Sequence, residues 1–116
     1  MAGKKLSRTA LKIKADTLFS KIVRLVGRCE RCSGITALQC AHIISRRYLC
    51  TRWDLGNAVC LCARCHMYMT HRPLEWEEWV IARIGAQRYE NLKRKALSIC
   101  KPDYPAILDS LRTSSV

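Results

Sequence analysis

Two cysteine pairs in this sequence have the spacing of metal ligands: Cys29-x-x-Cys32 and Cys62-x-x-Cys65, separated by 29 residues. Two thiolates three positions apart can bind one ion from a single turn, and a second such turn completes a tetrahedral site. Redox-active thiols are the alternative interpretation of a CxxC pair. Because the spacing occurs twice, the sequence predicts a structural Zn²⁺ held by these four thiolates.

The other four cysteines, Cys40, Cys50, Cys60 and Cys100, lie outside this pattern. A cysteine that binds no metal most often behaves as a small buried hydrophobe, and that role is predicted for all four. Cys60 is the one serious competitor as a zinc ligand, because it lies two positions before Cys62.

Two histidines and an asparagine are interleaved with the cysteines. The segments AHI, GNAVCLC and CARCH, which contain His42, Asn57 and His66, follow one another in this order between and beside the two cysteine pairs. This arrangement resembles the HNH nuclease family, in which a histidine follows a strand, an asparagine closes a loop and CxxCH opens a helix. The preceding LFSKIVRLVGRCERC is similar to phage recombination nucleases of the NinG or Rap type. The resemblance covers residues 15–84.

The HNH resemblance implies an α+β fold with a ββα-metal core and metal-dependent hydrolysis of DNA phosphodiester bonds. His42 would be the general base, because an imidazole that is neutral near pH 7 can take a proton from water. A catalytic Mg²⁺ or Mn²⁺ would stabilise the transition state, with His66 as its ligand. Asn57 would hold the loop that orients His42. The alternatives are a packed or surface role for His42 and a place for His66 among the zinc ligands.

One position departs from the family pattern. Many HNH proteins have an acidic residue immediately before the first histidine, where it binds the catalytic ion, and this chain has Ala41 there. His71 is the first candidate for a replacement ligand and Asp54 the second. His71 lies five positions after His66, one beyond the helical spacing that shares a face, so its geometry is imperfect.

The positive charge of the chain indicates a polyanionic partner. Lysine and arginine number 21 against 9 acidic residues, which gives a net charge of +12. A basic surface gains affinity for DNA by releasing counterions from phosphates. Arg46, Arg47 and Arg52 lie in the loop after His42, and their guanidinium groups are predicted to clamp the DNA backbone. A solvated run of charge is the alternative. Trp53 is expected to pack under this loop.

The pattern of apolar residues predicts strands and helices around these motifs. Strands are expected within residues 36–43 and 58–62, joined by a loop. Helices are expected within 15–27, 63–72 and 73–85, with two more in the remaining chain. The predicted organisation is a basic, mobile amino terminus at residues 1–14, a nuclease domain at 15–84 and a helical extension at 85–116.

The first residues lack the apolar core of a secretory signal, and no apolar run approaches the roughly 20 residues of a membrane span. A cytoplasmic protein is therefore expected, in the bacterial host cell if the chain is phage-encoded, and thiolate ligands are favoured over disulfides there. DNA is the expected partner, and a homodimer is an open possibility. The competing hypotheses are a non-catalytic zinc-stabilised DNA-binding module and an adaptor that binds protein through its zinc knuckles and the Trp76/Trp79 helix.

Overall fold

The structure is a computed structural model that describes residues 6–114 of the chain. The described elements, in chain order, are α1 (Arg8–Val23), β1 (Leu38–His42), α2 (Leu49–Arg52), β2 (Ala58–Cys62), α3 (Ala63–Thr70), α4 (Pro73–Ile84), α5 (Ala86–Ala96) and α6 (Tyr104–Ser114). The predicted strands and helices are all present, with shifted ends. The fold is a small α+β unit in which six helices surround a two-stranded sheet.

Helix α1 begins earlier than predicted. Ser7 caps it by accepting a hydrogen bond from the Ala10 N–H at 3.1 Å, which satisfies one of the free donors at the helix start. The predicted boundary between residues 14 and 15 therefore falls inside a helix, and residues 8–14 of the segment expected to be mobile are helical. Residues 1–5 of that segment lie outside the described residues. After α1, a short 3₁₀ turn leads to Gly27, whose φ of 79° ends the helical path.

Strands β1 and β2 pair antiparallel, with Leu38 opposite Cys62 and His42 opposite Ala58. Because side chains alternate across a strand, each face of this sheet packs against different helices. Ala41 and Leu61 belong to a core that includes Val80 of α4 and Leu92 of α5. Cys40 and Ala58 pack on a second core, formed by α1, α6 and Trp53. His42 lies on this second side, beside α1.

Helix α6 packs along α1 and completes the second core. Ala15 and Phe19 of α1 are buried together with Tyr104, Leu108 and Leu111 of α6. Residues 85–116 were predicted as an extension to the nuclease domain. In the structure, α5 contributes to the core on one side of the sheet and α6 to the core that contains Phe19, so both helices belong to the packing that supports the sheet.

The loop between the strands is tied to the carboxyl-terminal segment. Cys50 of α2 and Cys100, in the segment before α6, form a disulfide, which corrects the prediction that both are buried free thiols. The same prediction is confirmed for Cys60, which is fully buried, while Cys40 is half-buried. The bond joins two chain segments that are 50 residues apart.

The disulfide is expected to stabilise the fold measurably. Closing a loop of this length removes conformational freedom from the unfolded chain, so Cys50→Ser should lower the free energy of unfolding by about 2–4 kcal/mol. Urea denaturation of the zinc-loaded, oxidised protein measures the effect. Cys100→Ser and the double variant should match Cys50→Ser, because all three lack the same bond. Equal stability of wild type and Cys50→Ser without reductant would contradict the prediction.

Among the described residues, no helix combines the length and the apolar character that crossing a lipid bilayer requires.

Candidate metal centre and histidine cleft

The two cysteine pairs converge on one point. The Sγ atoms of Cys29, Cys32, Cys62 and Cys65 all lie within 4.8 Å of one another, and Cys32 and Cys62 are 3.8 Å apart. A zinc tetrahedron with bonds of about 2.3 Å places its sulfurs about 3.8 Å from each other. The four cysteines are therefore close enough together to bind one zinc ion.

Local structure brings each pair into position. Cys62 is the last residue of β2 and the N-cap of α3, and its Sγ accepts a hydrogen bond from the Cys65 N–H at 3.4 Å. In the first pair, Cys32 Sγ accepts from the Gly34 N–H at 3.4 Å. These hydrogen bonds hold the two sulfur atoms in position. Cys29, Cys62 and Cys65 are buried in the core around the sheet, so the cluster is part of the packing and not an appendage.

The surroundings shift the thiol pKa values in opposite directions. Burial raises the pKa of Cys29, but hydrogen bonds from the backbone of Cys62, Cys32 and Arg31 outweigh it and lower the pKa to about 6. Burial raises the pKa of Cys65 to about 12, although Arg31 donates a hydrogen bond to its Sγ at 3.4 Å. A thiolate therefore forms more readily at Cys29 than at Cys65.

The two alternative zinc ligands lie elsewhere. Cys60 is buried, but its thiol is not among the four that converge. His66 follows Cys65 in α3, and its Nδ1 lies 2.7 Å from Gln39 Oε1 instead of joining the sulfurs. The four-cysteine assignment made from the spacing is thus the one that the geometry supports.

A cleft of about 740 Å³ runs between α1, β1 and α3. His42 and His66 both line it, so the two histidines face the same space although they are 24 residues apart in sequence. Ser20 of α1 and Arg24, the residue after α1, also line the cleft. A smaller recess of about 130 Å³ also touches both histidines.

The orientation of His42 is set by two contacts. Its Nε2 lies 2.9 Å from the carbonyl oxygen of Arg52, and its ring stacks on Phe19 with centroids 5.3 Å apart. A carbonyl oxygen can only accept, so Nε2 carries the proton and Nδ1 is the basic nitrogen of the neutral ring. Among the described residues Nδ1 has no hydrogen-bond partner. Burial lowers the pKa of His42, and the positive charges of Arg52 and Arg46 act in the same direction.

Asn57 holds the loop that supplies this carbonyl. It is fully buried, and its amide donates to the carbonyls of Ile44 at 3.0 Å and Thr51 at 3.1 Å. Its Oδ1 accepts from the Ile44 N–H at 2.8 Å. These bonds span both ends of the loop, and Thr51 immediately precedes Arg52. Asn57 therefore acts on His42 through the backbone, without touching the ring.

The two candidate replacements for a ligand at Ala41 are not in the cleft. Asp54 caps the turn before β2 and forms an ion pair with Lys95 at 2.7 Å. His71 is the C-cap of α3 and lines an adjoining recess together with Gln39, His66 and Thr70. Within residues 6–114, the four cysteines are the only group of three or more His, Cys, Asp or Glu side chains placed to share an ion. Because His71 lies five residues after His66, the two side chains do not share one face of α3.

The side chain of Arg52, predicted as a phosphate clamp, is directed to an acidic partner inside the fold. Its guanidinium donates to both carboxylate oxygens of Asp16, at 3.0 and 2.7 Å, and its side chain is 11% exposed. Trp53 is buried under the loop, as predicted, and its Nε1 donates to the same carboxylate at 2.9 Å. Arg46 remains exposed at the cleft, whereas Arg47 is exposed beside Tyr48.

Sequence reasoning missed several polar residues at the cleft, among them Asp16, Arg24, Gln39 and Thr70. Asp16 carried a weak signal, since it is the one acidic residue in a strongly basic amino-terminal segment. Thr70 lies four positions after His66 in α3, the spacing of a shared helix face. Gln39 and Arg24 had no motif to reveal them.

Comparisons of the chain with protein-family models, with curated proteins and with solved structures find no match.

Proposed function

We propose that this chain is a zinc-stabilised endonuclease of the HNH type that hydrolyses DNA phosphodiester bonds with a divalent ion. The observation that carries the proposal is the state of His42, whose Nε2 is bonded to the Arg52 carbonyl while Nδ1 is left as a base, in a cleft shared with His66.

His42 takes a proton from the attacking water at Nδ1. The Arg52 carbonyl stabilises the imidazolium that results, because its oxygen faces the protonated Nε2 at 2.9 Å. Phe19 fixes the ring plane by stacking. Asn57 holds the loop, and the ion pair of Arg52 with Asp16 anchors that loop to α1, so the acceptor stays in place during the reaction.

The cleft contains donors that fit a loosely held divalent ion. His66 can present Nε2, and Thr70 adds a hydroxyl oxygen that lines the same cleft. With few protein ligands, water and substrate phosphate would complete the coordination. When bound, the ion would stabilise the negative charge that develops on the phosphate. Imidazole without a neighbouring carboxylate favours transition metals, so Mn²⁺ is expected to support more activity than Mg²⁺.

The four-cysteine cluster is assigned a structural zinc. Four thiolates fill a tetrahedral site and leave no open position for a substrate or a reactive water. The cluster joins β2, which directly follows Asn57, and α3, which contains His66, to the segment after α1. It therefore supports the spacing of the two histidines.

The charge of the chain supports DNA as the substrate. The net charge is +12, and the exposed Arg24 and Arg46 lie on the cleft, where they can contact phosphates beside the reacting bond. The resemblance to phage recombination nucleases makes branched or single-stranded DNA a candidate form of the substrate.

A DNA-binding module without cleavage is the second candidate, and Ala41 favours it because alanine supplies no ligand where the family has an acid.

The adaptor hypothesis has less support, since Trp76 and Trp79 stack on each other and pack against the core around the sheet. Both rings are half-buried in contacts within the fold.

Incubation of the zinc-loaded protein with supercoiled plasmid, branched DNA and single-stranded DNA tests the proposal. Cleavage is expected with Mn²⁺, and less cleavage with Mg²⁺. No cleavage is expected after a short treatment with EDTA that removes the catalytic ion but leaves the structural zinc bound. Salt-dependent binding of all three DNAs with no cleavage under any divalent ion would establish the binding module instead. Absence of DNA binding would reject both.

The pH dependence of cleavage should report the base. Only the neutral form of His42 can accept a proton, so the rate should rise with pH as the ring loses its proton. Because burial holds the pKa of His42 below its ordinary 6.5, the midpoint should lie below pH 6.5, with a constant rate from pH 7 to 8. Single-turnover cleavage at saturating protein measures this profile. A midpoint above pH 7 would contradict the assignment.

A further inference from the structure

We propose that Gln39 is a positioning residue that fixes the tautomer of His66 and thereby makes His66 Nε2 the ligand of the divalent ion. This inference rests on the proposed function and deepens it, because it states how a single histidine becomes competent to bind the ion.

The contact joins a strand to a helix. Gln39 lies in β1, and its Oε1 is 2.7 Å from Nδ1 of His66 in α3. Gln39 is opposite Leu61 in the sheet, one residue before the cysteine that caps α3, so the sheet register brings its side chain to the start of that helix. Both residues line the cleft that contains His42.

The chemistry of the pair selects one tautomer. An amide oxygen accepts and cannot donate, so the hydrogen bond places the imidazole proton on Nδ1. The lone pair of the neutral ring is then on Nε2. Metal-binding histidines commonly use the second nitrogen in this way, with an oxygen acceptor that fixes the ring and raises its basicity.

The oxygen partner also affects how strongly the ion is held. With Ala41 in place of an acid, His66 is the only imidazole that the proposed function assigns to the ion. Loss of an outer hydrogen-bond partner typically costs about 10–100-fold in metal affinity. A site with few ligands has little to compensate for such a loss, so Gln39 should have a measurable effect on binding of the ion itself.

Two readouts on the zinc-loaded protein test this inference without DNA. Long-range ¹H–¹⁵N correlation spectra report which nitrogen of His66 carries the proton, and the electron paramagnetic resonance signal of free Mn²⁺ reports ion binding. Wild type is expected to show the Nδ1–H form. Gln39→Ala should lose that preference and bind Mn²⁺ about 10–100-fold more weakly. Gln39→Glu restores an oxygen acceptor and should restore both readouts.

Gln87→Ala is the matched control, because Gln87 pairs with Asn91 on α5 and lies outside the cleft. It should leave the tautomer and the Mn²⁺ affinity at wild-type values. An Nε2–H form of His66 in wild type, or Gln39→Ala with unchanged Mn²⁺ affinity, overturns the inference. Wild type that binds Mn²⁺ through His66 but cleaves no DNA leaves the inference standing and rejects the nuclease proposal, so the two failures are distinguishable.

Discussion

Cys65→Ser is expected to release zinc and to abolish cooperative folding. Cys65 is buried in the same core as Cys29, Cys62 and Val80, so the metal would hold together the packing around the sheet. Zinc binding contributes on the order of 10–16 kcal/mol to small zinc domains, while whole domains are stable by about 5–15 kcal/mol. Loss of a ligand therefore removes a contribution as large as the net stability.

Zinc content per chain and thermal unfolding measure this result. Wild type should contain one tightly bound zinc and unfold in a single transition, whereas Cys65→Ser should contain none and show no transition. A chelator given time to strip the metal should reproduce the variant. The disulfide between Cys50 and Cys100 cannot replace the metal, because it ties α2 to the carboxyl-terminal segment and touches neither cysteine pair.

Cys60→Ala is the matched control for this prediction. Cys60 is fully buried and lies on β2 two residues before a proposed ligand, yet its thiol does not converge with the four others. The variant should keep its zinc and lose only the roughly 1 kcal/mol of a small buried group. A folded, zinc-free Cys65→Ser protein, or zinc loss in Cys60→Ala, would refute the four-cysteine assignment.

The sequence predicted those parts of the site that are formed by residues close together in the chain. Two cysteines three positions apart predict a metal site, because a single turn of the chain is enough to bring both thiols to one ion. The strand at residues 58–62 and the helix that follows were predicted because apolar alternation and the CxxCH segment lie next to each other. The two strands and the helix after them follow one another as predicted, while the roles of His42 and His66 and the assignment to the HNH family stay predictions.

The contacts that were missed connect distant segments. Asp16 and Arg52 are 36 residues apart, and each looks like an ordinary charged residue until the fold brings them together. Cys50 and Cys100 are 50 residues apart, and sequence alone gives no pairing for them. The early start of α1 was hidden by its basic residues, although Ser7 is a typical N-cap.

The position of Arg52 shows how such contacts change a functional interpretation. An arginine in a basic loop next to a candidate catalytic histidine suggests a phosphate clamp. In the fold, its side chain pairs with Asp16 and its carbonyl holds His42. The residue supports the site from both its side chain and its backbone. Its charge is therefore not free for DNA, and Arg24 and Arg46 become the better candidates for phosphate contacts.

His42→Ala is expected to reduce DNA cleavage by about 10²–10⁴-fold, the usual contribution of a general base. No other group in the described cleft can replace it easily. The carboxylate of Asp16 is occupied by Arg52 and Trp53, and burial raises the pKa of Cys40 to about 11, which keeps that thiol protonated. His66 is assigned to the ion. The ring of His42 is half-buried against Phe19, so some loss of stability is also expected.

Single-turnover cleavage of supercoiled plasmid with Mn²⁺ measures the loss, and a binding assay on the same DNA separates it from weaker association. DNA affinity should stay within a few-fold of wild type, because His42 contributes no formal charge when neutral. Gln87→Ala is the control: Gln87 pairs with Asn91 on α5 and lies outside the cleft, so the cleavage rate of this variant should equal that of wild type. Cleavage by His42→Ala within about twofold of wild type, with folding intact, would mean that the base is another group.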